Sequence, residues 1–337
     1  LPEGVSLTVL GEKNLDDLLF LPKLFKLAVA IRRIQPNCVI AHQSLADYLR
    51  LALLGTNIPY LLLKYTSVFY QAYDKTKYSA LYRDVFEEVL TSLSCYEEEI
   101  PRSLNGGIKS KFLSEYYALR DWFGTRGAEK VFTLGSRSRW ELEKLYKIKP
   151  VEWTPGAAQA TSQDELDPVV IQALREKYGL RPGQAMVLSV NRLEYRKRVH
   201  LVVGAMRRLL DMGVDAKLIV VGIGEEQTAL ENQVVDLQIE DSVAFAGLVD
   251  EKILAQLYHT ADVVGCMIWG SWALAVVEPL FYNTKVVISD EVFGLLQGVP
   301  NVFRASPDPA AVANALGQAL STATADSARV VIENVDW

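Results

Sequence analysis

Four cations crowd into seven residues of one stretch, Asn191-Arg192-Leu193-Glu194-Tyr195-Arg196-Lys197-Arg198. The stretch follows the β-rich run Ala185–Val190 and precedes a helical pattern that starts at Val199. The free N–H groups at a helix start also favour anions, so charge and backbone point the same way. The chain as a whole is acidic, with 35 Lys plus Arg against 41 Asp plus Glu and a formal net charge of -6. A dense basic patch at a strand end of an acidic chain indicates binding of a phosphate or diphosphate. A solvated charge run on a loop is the plain alternative.

Three further strand-end loops carry candidate chemistry. Gly222-Ile223-Gly224 follows KLIVV, but Gln227 stands where a dinucleotide fingerprint needs its third glycine, which disfavours a hydride-transferring dehydrogenase. Small residues there can still let a ligand approach the backbone, which makes Gly222 a candidate. Ile268-Trp269-Gly270-Ser271-Trp272 leads into a helix expected over Ala273–Tyr282. Backbone N–H groups near Ala273 and Leu274 could hold phosphate oxygens, and Glu278 in the second turn could accept hydrogen bonds from vicinal ribose hydroxyls. A salt bridge would satisfy that carboxylate equally. Asp290-Glu291-Val292-Phe293-Gly294 follows KVVIS. Its two negative charges suit a sugar hydroxyl or a backbone contact better than a phosphate.

These loops need a sheet to carry them. Short β-rich runs alternate with amphipathic stretches along the 337 residues, the pattern of α/β folds with parallel sheets. The first half offers strands at Ser6–Leu10, Cys38–His42, Pro59–Lys64, Lys130–Leu134 and Val151–Thr154. The helical stretch Leu18–Ile34 reads as a helix flanking a sheet, with an interfacial membrane helix as the alternative. Aromatic-rich helical sequence at 65–127 interrupts the alternation. TPGAAQATSQDELD reads as a linker. After it come strands at Ala185–Val190, Lys217–Val221, Val243–Ala246, Asp262–Met267 and Lys285–Ser289, with helices at Val199–Met212, Glu225–Leu237, Glu251–Thr260 and Ala273–Tyr282 between them. Five strands and four helices make a doubly wound sheet, whose ligands bind beyond the carboxyl ends of the strands.

Composition bounds the class. Hydrophobic residues make up 50% and charged residues 23%, enough apolar material for two cores of the size that this length suggests. Net acidity argues against a nucleic-acid partner. Three Cys and three His, with no CxxC pair, indicate neither a zinc site nor a disulfide framework. No apolar run approaches the ~18 residues that span a bilayer, and no basic-then-apolar leader opens the chain. The expectation is a soluble cytoplasmic protein, with peripheral contact at the inner face of a membrane as an added expectation.

VLSVNRLEYRKRVHLVVGAM, LIVVGIGEEQTALENQV, VAFAGLVDEKILAQLYHTADVV and the segment ending in Glu278 stand in the order and spacing of one family. The chain resembles the retaining GT-B glycosyltransferases of family 4, most densely over residues 185–320. The resemblance implies two Rossmann-like doubly wound parallel-sheet domains facing across a cleft, an acceptor-side domain at 1–157 and a nucleotide-sugar-binding domain at 158–337. It implies transfer of a sugar from a nucleotide-diphosphate sugar to an acceptor, with retention, no required metal, and no cofactor beyond the donor itself. The absence of any Asp-x-Asp from the sequence agrees with that.

Carried over residue by residue, Arg192 and Lys197 become the catalytic pair on the donor diphosphate. Glu278 is the second Glu of the Glu-x7-Glu motif and binds the donor ribose. Leu248 and Val249 lie by the base, Trp272, Ala273 and Leu274 border the sugar and diphosphate, and His42, Tyr65 and Thr66 are acceptor-side candidates. The departures are specific. Gly270 replaces the first motif Glu, Ala273 replaces a glycine, and Tyr65-Thr66-Ser67 lacks the histidine common in relatives. The family also has a strand and Gly-rich loop before SLTVL and a crossover helix after ENVDW, neither of which stands in these residues. The acceptor class stays open among glycan, protein, lipid and small molecule. A catalytically silent relative that binds nucleotide sugar, or serves as a scaffold or regulatory partner, is the competing reading. A nucleotide-sugar epimerase is a third.

Overall fold

The computed structural model describes residues 20–42, 46–64, 79–92, 108–152, 167–268, 274–291, 296 and 298–325. Within them the chain divides into two compact units, one running to Glu152 and one from Asp167, with 134–137 assigned to the second. Each has its own parallel sheet.

In the first unit, β1 (Val39–His42), β2 (Tyr60–Lys64), β3 (Lys130–Thr133) and β4 (Val151–Glu152) pair in chain order, all parallel. Parallel neighbours need crossovers, and α1 (Phe20–Ile34), α2 (Ala46–Ala52), α3 (Arg83–Ser92), α4 (Ile108–Arg126) and α5 (Gly135–Tyr146) lie before and between the strands. Helix α1 is fixed to α2 through its end. The Arg32 guanidinium donates to the Ala52 and Leu54 carbonyls at 3.2 and 2.9 Å, while Ile31 is buried. That fits the sheet-flanking reading of Leu18–Ile34, although Phe25 remains 70% exposed. Among the described residues no helix is long and apolar enough to cross a membrane. The expected strand at Ser6–Leu10, and Trp153 and Thr154 at the end of the fifth, lie outside the described residues.

The second unit contains β5 (Ala185–Val190), β6 (Ala216–Val221), β7 (Val243–Gly247), β8 (Val263–Cys266), β9 (Lys285–Ser289) and β10 (Val302–Ala305). Their spatial order is β10-β9-β8-β5-β6-β7, all parallel, the doubly wound arrangement whose order reverses between β5 and β8. Both faces are covered, so the strands are almost continuously apolar. Val187, Leu218, Val220 and Val287 pack with Val202, Met206 and Leu209 of α7 (Val199–Asp211) and Leu316 of α11 (Pro309–Ser321). α8 (Gln227–Asp236) lies on the same face through Leu230 and Val234. On the opposite face Met186, Leu188, Ile219 and Ile288 pack with α6 (Pro168–Lys177) and α9 (Glu251–Thr260). Each such fully buried side chain contributes about 1.5–3 kcal/mol.

Two expectations need correction. The sheet has a sixth strand, β10, which the sequence pattern concealed because VFRA is short, lies at an edge and exposes Arg304. The helix expected over Ala273–Tyr282 is α10 (Leu274–Val277), a single turn, followed by a 3₁₀ stretch from Glu278 to Tyr282. Pro279 has no N–H and its ring collides with the carbonyl four residues back, so α-helix cannot continue through it.

One backbone contact fixes the carboxyl edge of this sheet. The Asn191 and Leu193 N–H groups donate to the Val221 and Ile223 carbonyls at 3.0 Å, and Glu226 N–H returns to the Leu193 carbonyl at 2.9 Å. A Cβ at Gly222 would overlap the Asn191 carbonyl, and one at Gly224 would overlap the Leu193 backbone. Gly222 also has φ +126°, a region that side chains rarely tolerate. The glycines therefore serve a clasp between the loops after β5 and β6. Gly222→Ala should destabilise the protein by about 2 kcal/mol or more, read as a lowered midpoint of thermal unfolding. An unchanged midpoint contradicts the clasp.

Candidate functional site

The loop after β5 emerges at the point where strand order reverses, where open parallel sheets bind their ligands. Leu193 is buried beneath it, Tyr195–Lys197 forms a 3₁₀ turn, and Arg198 closes the turn in the left-handed region at φ +52°. Tyr195 stacks on His200, with ring centroids 5.1 Å apart.

The four cations have different fates. Glu194 accepts from two of them, with Oε1 3.0 Å from Arg192 Nη1 and Oε2 2.7 Å from Arg196 Nε. The Arg192 side chain is 73% exposed, so this ion pair stands open to solvent and to a competing anion. Arg198 is turned away from the surface altogether, with its Nη1 2.6 Å from Glu291 Oε2. Lys197 is half-buried and makes no ion pair among the described residues. Burial, and then the guanidinium of Arg196, depress its ammonium pKa below the usual lysine value, while Cys266 and Glu194 act the other way. A half-buried cation that makes no ion pair among the described residues suits an anion site at this edge.

Beneath Lys197 lies Cys266, the last residue of β8. Its thiol is pushed up chiefly by burial, and Asn191 Nδ2 lies 4.0 Å from the sulfur. The same thiol acts on Tyr258, whose hydroxyl donates to Glu278 Oε2 at 2.8 Å. Burial, then the Glu278 carboxylate, holds the Tyr258 hydroxyl protonated well above the usual range. Thr284 Oγ1 donates to the Tyr258 carbonyl at 2.7 Å and steadies that side chain's backbone. Glu278 is thus half-buried with one oxygen bound by Tyr258, a hydrogen bond in place of the salt bridge that its apolar surroundings left open. Cys266 is the common neighbour through which Lys197 and Glu278 belong to one region. Tyr258 and Glu194 carry no motif, and only spatial proximity reveals them.

The remaining candidates spread along the edge. Leu248, after β7, is 72% exposed; Val249 beside it packs into the core, and Asp250 caps α9 by accepting from Ile253 N–H at 2.8 Å. Leu274 is exposed at the start of α10. Trp272 and Ala273 lie outside the described residues, as does Gly270. Neither acid of the loop after β9 faces a ligand freely. Asp290 accepts from Ser306 Oγ at 2.9 Å, and Glu291 is bound to Arg198.

In the first unit His42 is exposed as the last residue of β1, and Tyr65 and Thr66 lie outside the described residues. Lys64, immediately before them, is buried, with Nζ 2.8 Å from Asp121 Oδ1 and 3.1 Å from the Tyr146 hydroxyl. Tyr82 and Tyr146 both donate to the same Asp121. Burial, and then Asp121, raise the Tyr146 hydroxyl well above its usual pKa. This network anchors the end of β2. Among the described residues, no group of three or more His, Cys, Asp and Glu side chains is placed to hold a metal ion.

With this geometry in view, the chain was compared with known proteins. Residues 170–334 match the family described as Glycosyl transferases group 1. That match covers most of the second unit and just under half of the chain. The chain is 31% identical over 137 residues to the alpha-monoglucosyldiacylglycerol synthase of Streptococcus pneumoniae, covering 37% of this chain and 31% of that protein. It spans about a quarter to a third of the length of such curated relatives. Among solved structures, Anabaena HepE in complex with UDP superposes with a TM-score of 0.67 at 16% identity, over 93% of this chain and 77% of that one. WaaG, a glycosyltransferase involved in lipopolysaccharide biosynthesis, gives 0.57 at 17% identity over 89% and 95%. The fold is GT-B, and the cationic loop lies within the residues that match the group 1 family.

Lys197 supplies a direct test of whether this edge binds anions. As pH rises above neutral, loss of its ammonium should weaken inorganic pyrophosphate binding sooner than an ordinary lysine would, whereas Lys197→Arg should hold affinity through the same range. Parallel pH profiles for the two proteins, measured by calorimetry, exclude Lys197 from the site.

Proposed function

We propose that the protein transfers a sugar from a nucleotide-diphosphate sugar to an acceptor, with retention and without a required metal. The observation that carries this reading is Lys197. It is a half-buried cation with a lowered pKa and no ion pair among the described residues, at the strand-order reversal of the unit that matches the group 1 family. Breaking the anomeric bond leaves the electron pair on the nucleoside diphosphate. Lys197, together with Arg192 once it exchanges Glu194 for phosphate, stabilises that charge from fixed positions, the kind of preorganised electrostatics that contributes most in many enzymes.

Glu278 receives the donor ribose in this reading, with Tyr258 holding one carboxylate oxygen and the other left for a hydroxyl. Leu248 and Val249 border the base, Leu274 with Trp272 and Ala273 borders the sugar, and Gly222 shapes the loop floor rather than touching the ligand. His42, Tyr65 and Thr66 stand on the acceptor side, and the acceptor is a glycan, protein, lipid or small molecule. UDP in the HepE complex makes a uridine donor the first to try. One observation favours a second reading. Gly270 offers no carboxylate to the donor sugar, which suits a protein that binds nucleotide sugar without turning it over.

Incubation with UDP-, GDP- and ADP-sugars and an acceptor panel should release nucleoside diphosphate; binding without release establishes the silent reading. Arg192→Ala and Lys197→Ala should each weaken nucleoside diphosphate binding about tenfold or more, with nucleoside affinity nearly unchanged. Glu278→Gln should weaken nucleoside and diphosphate alike. Equal losses for both ligands in the cation variants would count against the diphosphate assignment.

A further inference from the structure

The diphosphate reading leaves two of the loop's cations unused, Arg196, which pairs with Glu194 at the surface, and Arg198, which is buried. Arg198 is 1% exposed, and the Glu291 side chain it meets is 6% exposed. Glu291 is held from its own side as well, since Ser289 Oγ lies 3.4 Å from Oε2 and accepts the Glu291 N–H at 3.2 Å. The pair joins the loop after β5 to the turn after β9. In the sheet β8 lies between those strands, so the link reaches across about two strand spacings, roughly 10 Å.

Stability alone does not explain this pair. Desolvating two charges offsets most of their attraction, and well-packed apolar residues of similar volume often serve as well or better. The backbone at Arg198 is moreover left-handed, at about 1–2 kcal/mol for a residue with a Cβ. What the arrangement does achieve is geometric. Arg198 both ends the turn that carries Lys197 and begins α7, with its N–H donating to the Tyr195 carbonyl at 2.9 Å. Anchoring its side chain in the interior constrains the residue before it, whose ammonium is acted on by Arg196, Cys266, Glu194 and Arg192.

We propose that Arg198 and Glu291 are a positioning pair that holds the Lys197 ammonium over the end of β8 and makes the loops after β5 and β9 move as one. This rests on the diphosphate reading above. Neither residue touches the ligand; both act through Lys197.

The test removes both charges of the pair at once, in Arg198→Met combined with Glu291→Leu. UDP or GDP, whichever the unaltered protein binds more tightly, and the matching nucleoside are titrated by calorimetry. The double variant should lose about tenfold in diphosphate affinity, equivalent to ~1.4 kcal/mol, with nucleoside affinity within about twofold. Its diphosphate binding should also persist to higher pH, as a less constrained lysine regains an ordinary pKa. Unaltered diphosphate affinity, or equal loss for both ligands, overturns the proposal. If the double variant does not fold, Glu291→Gln keeps the shape and one acceptor; a smaller loss confined to the diphosphate supports the pair, and an unchanged ratio of the two affinities overturns it. The underlying reading fails separately: diphosphate affinity indifferent to Arg192→Ala and Lys197→Ala removes the anion site itself, whereas sensitivity there combined with an indifferent double variant removes only the positioning role.

Discussion

Mutual repulsion among four cations at one sheet edge is the constraint around which the second unit is arranged. Two like charges 4 Å apart at an effective dielectric of ~20 repel by about 4 kcal/mol, so such a cluster persists only where each charge is answered or left partly in water. Arg196 and Arg192 share Glu194, Arg198 descends to Glu291, and Lys197 is left desolvated among them. In the proposed reading an incoming phosphate adds the counter-charge that Lys197 lacks as an ion pair among the described residues, so affinity and placement have one origin.

That arrangement needs a floor that does not yield. The clasp of Gly222 and Gly224 onto the Asn191 and Leu193 backbone ties the loop to its neighbour on one side. The buried ion pair ties it to β9 on the other. Between the two, strand order reverses, so the loop stands over the gap that a doubly wound sheet leaves open. The Tyr258–Glu278 hydrogen bond holds one oxygen of a half-buried carboxylate just after α10.

Much of this was legible in the residues. The β5 and β9 strands and helix α9 fall where alternation, apolar runs and helical spacing put them, because those signals are local. β10 was hidden by its shortness, and α10 was overextended because the weight given to apolar spacing outran the break at Pro279. At the site, strand-end position identified the cationic loop, but the division of labour within it did not follow from spacing. Arg198 differs from Lys197 in sequence by one position, and in space by the direction its side chain takes from a left-handed backbone. Glu291 lies 93 residues away from Arg198 along the chain, Tyr258 20 from Glu278, and no local pattern links either pair. Gly222 was legible as special but not in its role, since the group that approaches it is the protein's own carbonyl.

The most direct measurement is a crystal structure of the protein soaked with a nucleoside diphosphate, read at the edge between β5 and β8. The predicted result has the β-phosphate within hydrogen-bond distance of Lys197 Nζ, and the Arg192 guanidinium swung from Glu194 onto the diphosphate. A diphosphate ordered elsewhere, or one at this edge with the Arg192–Glu194 pair intact and Lys197 out of reach, contradicts it.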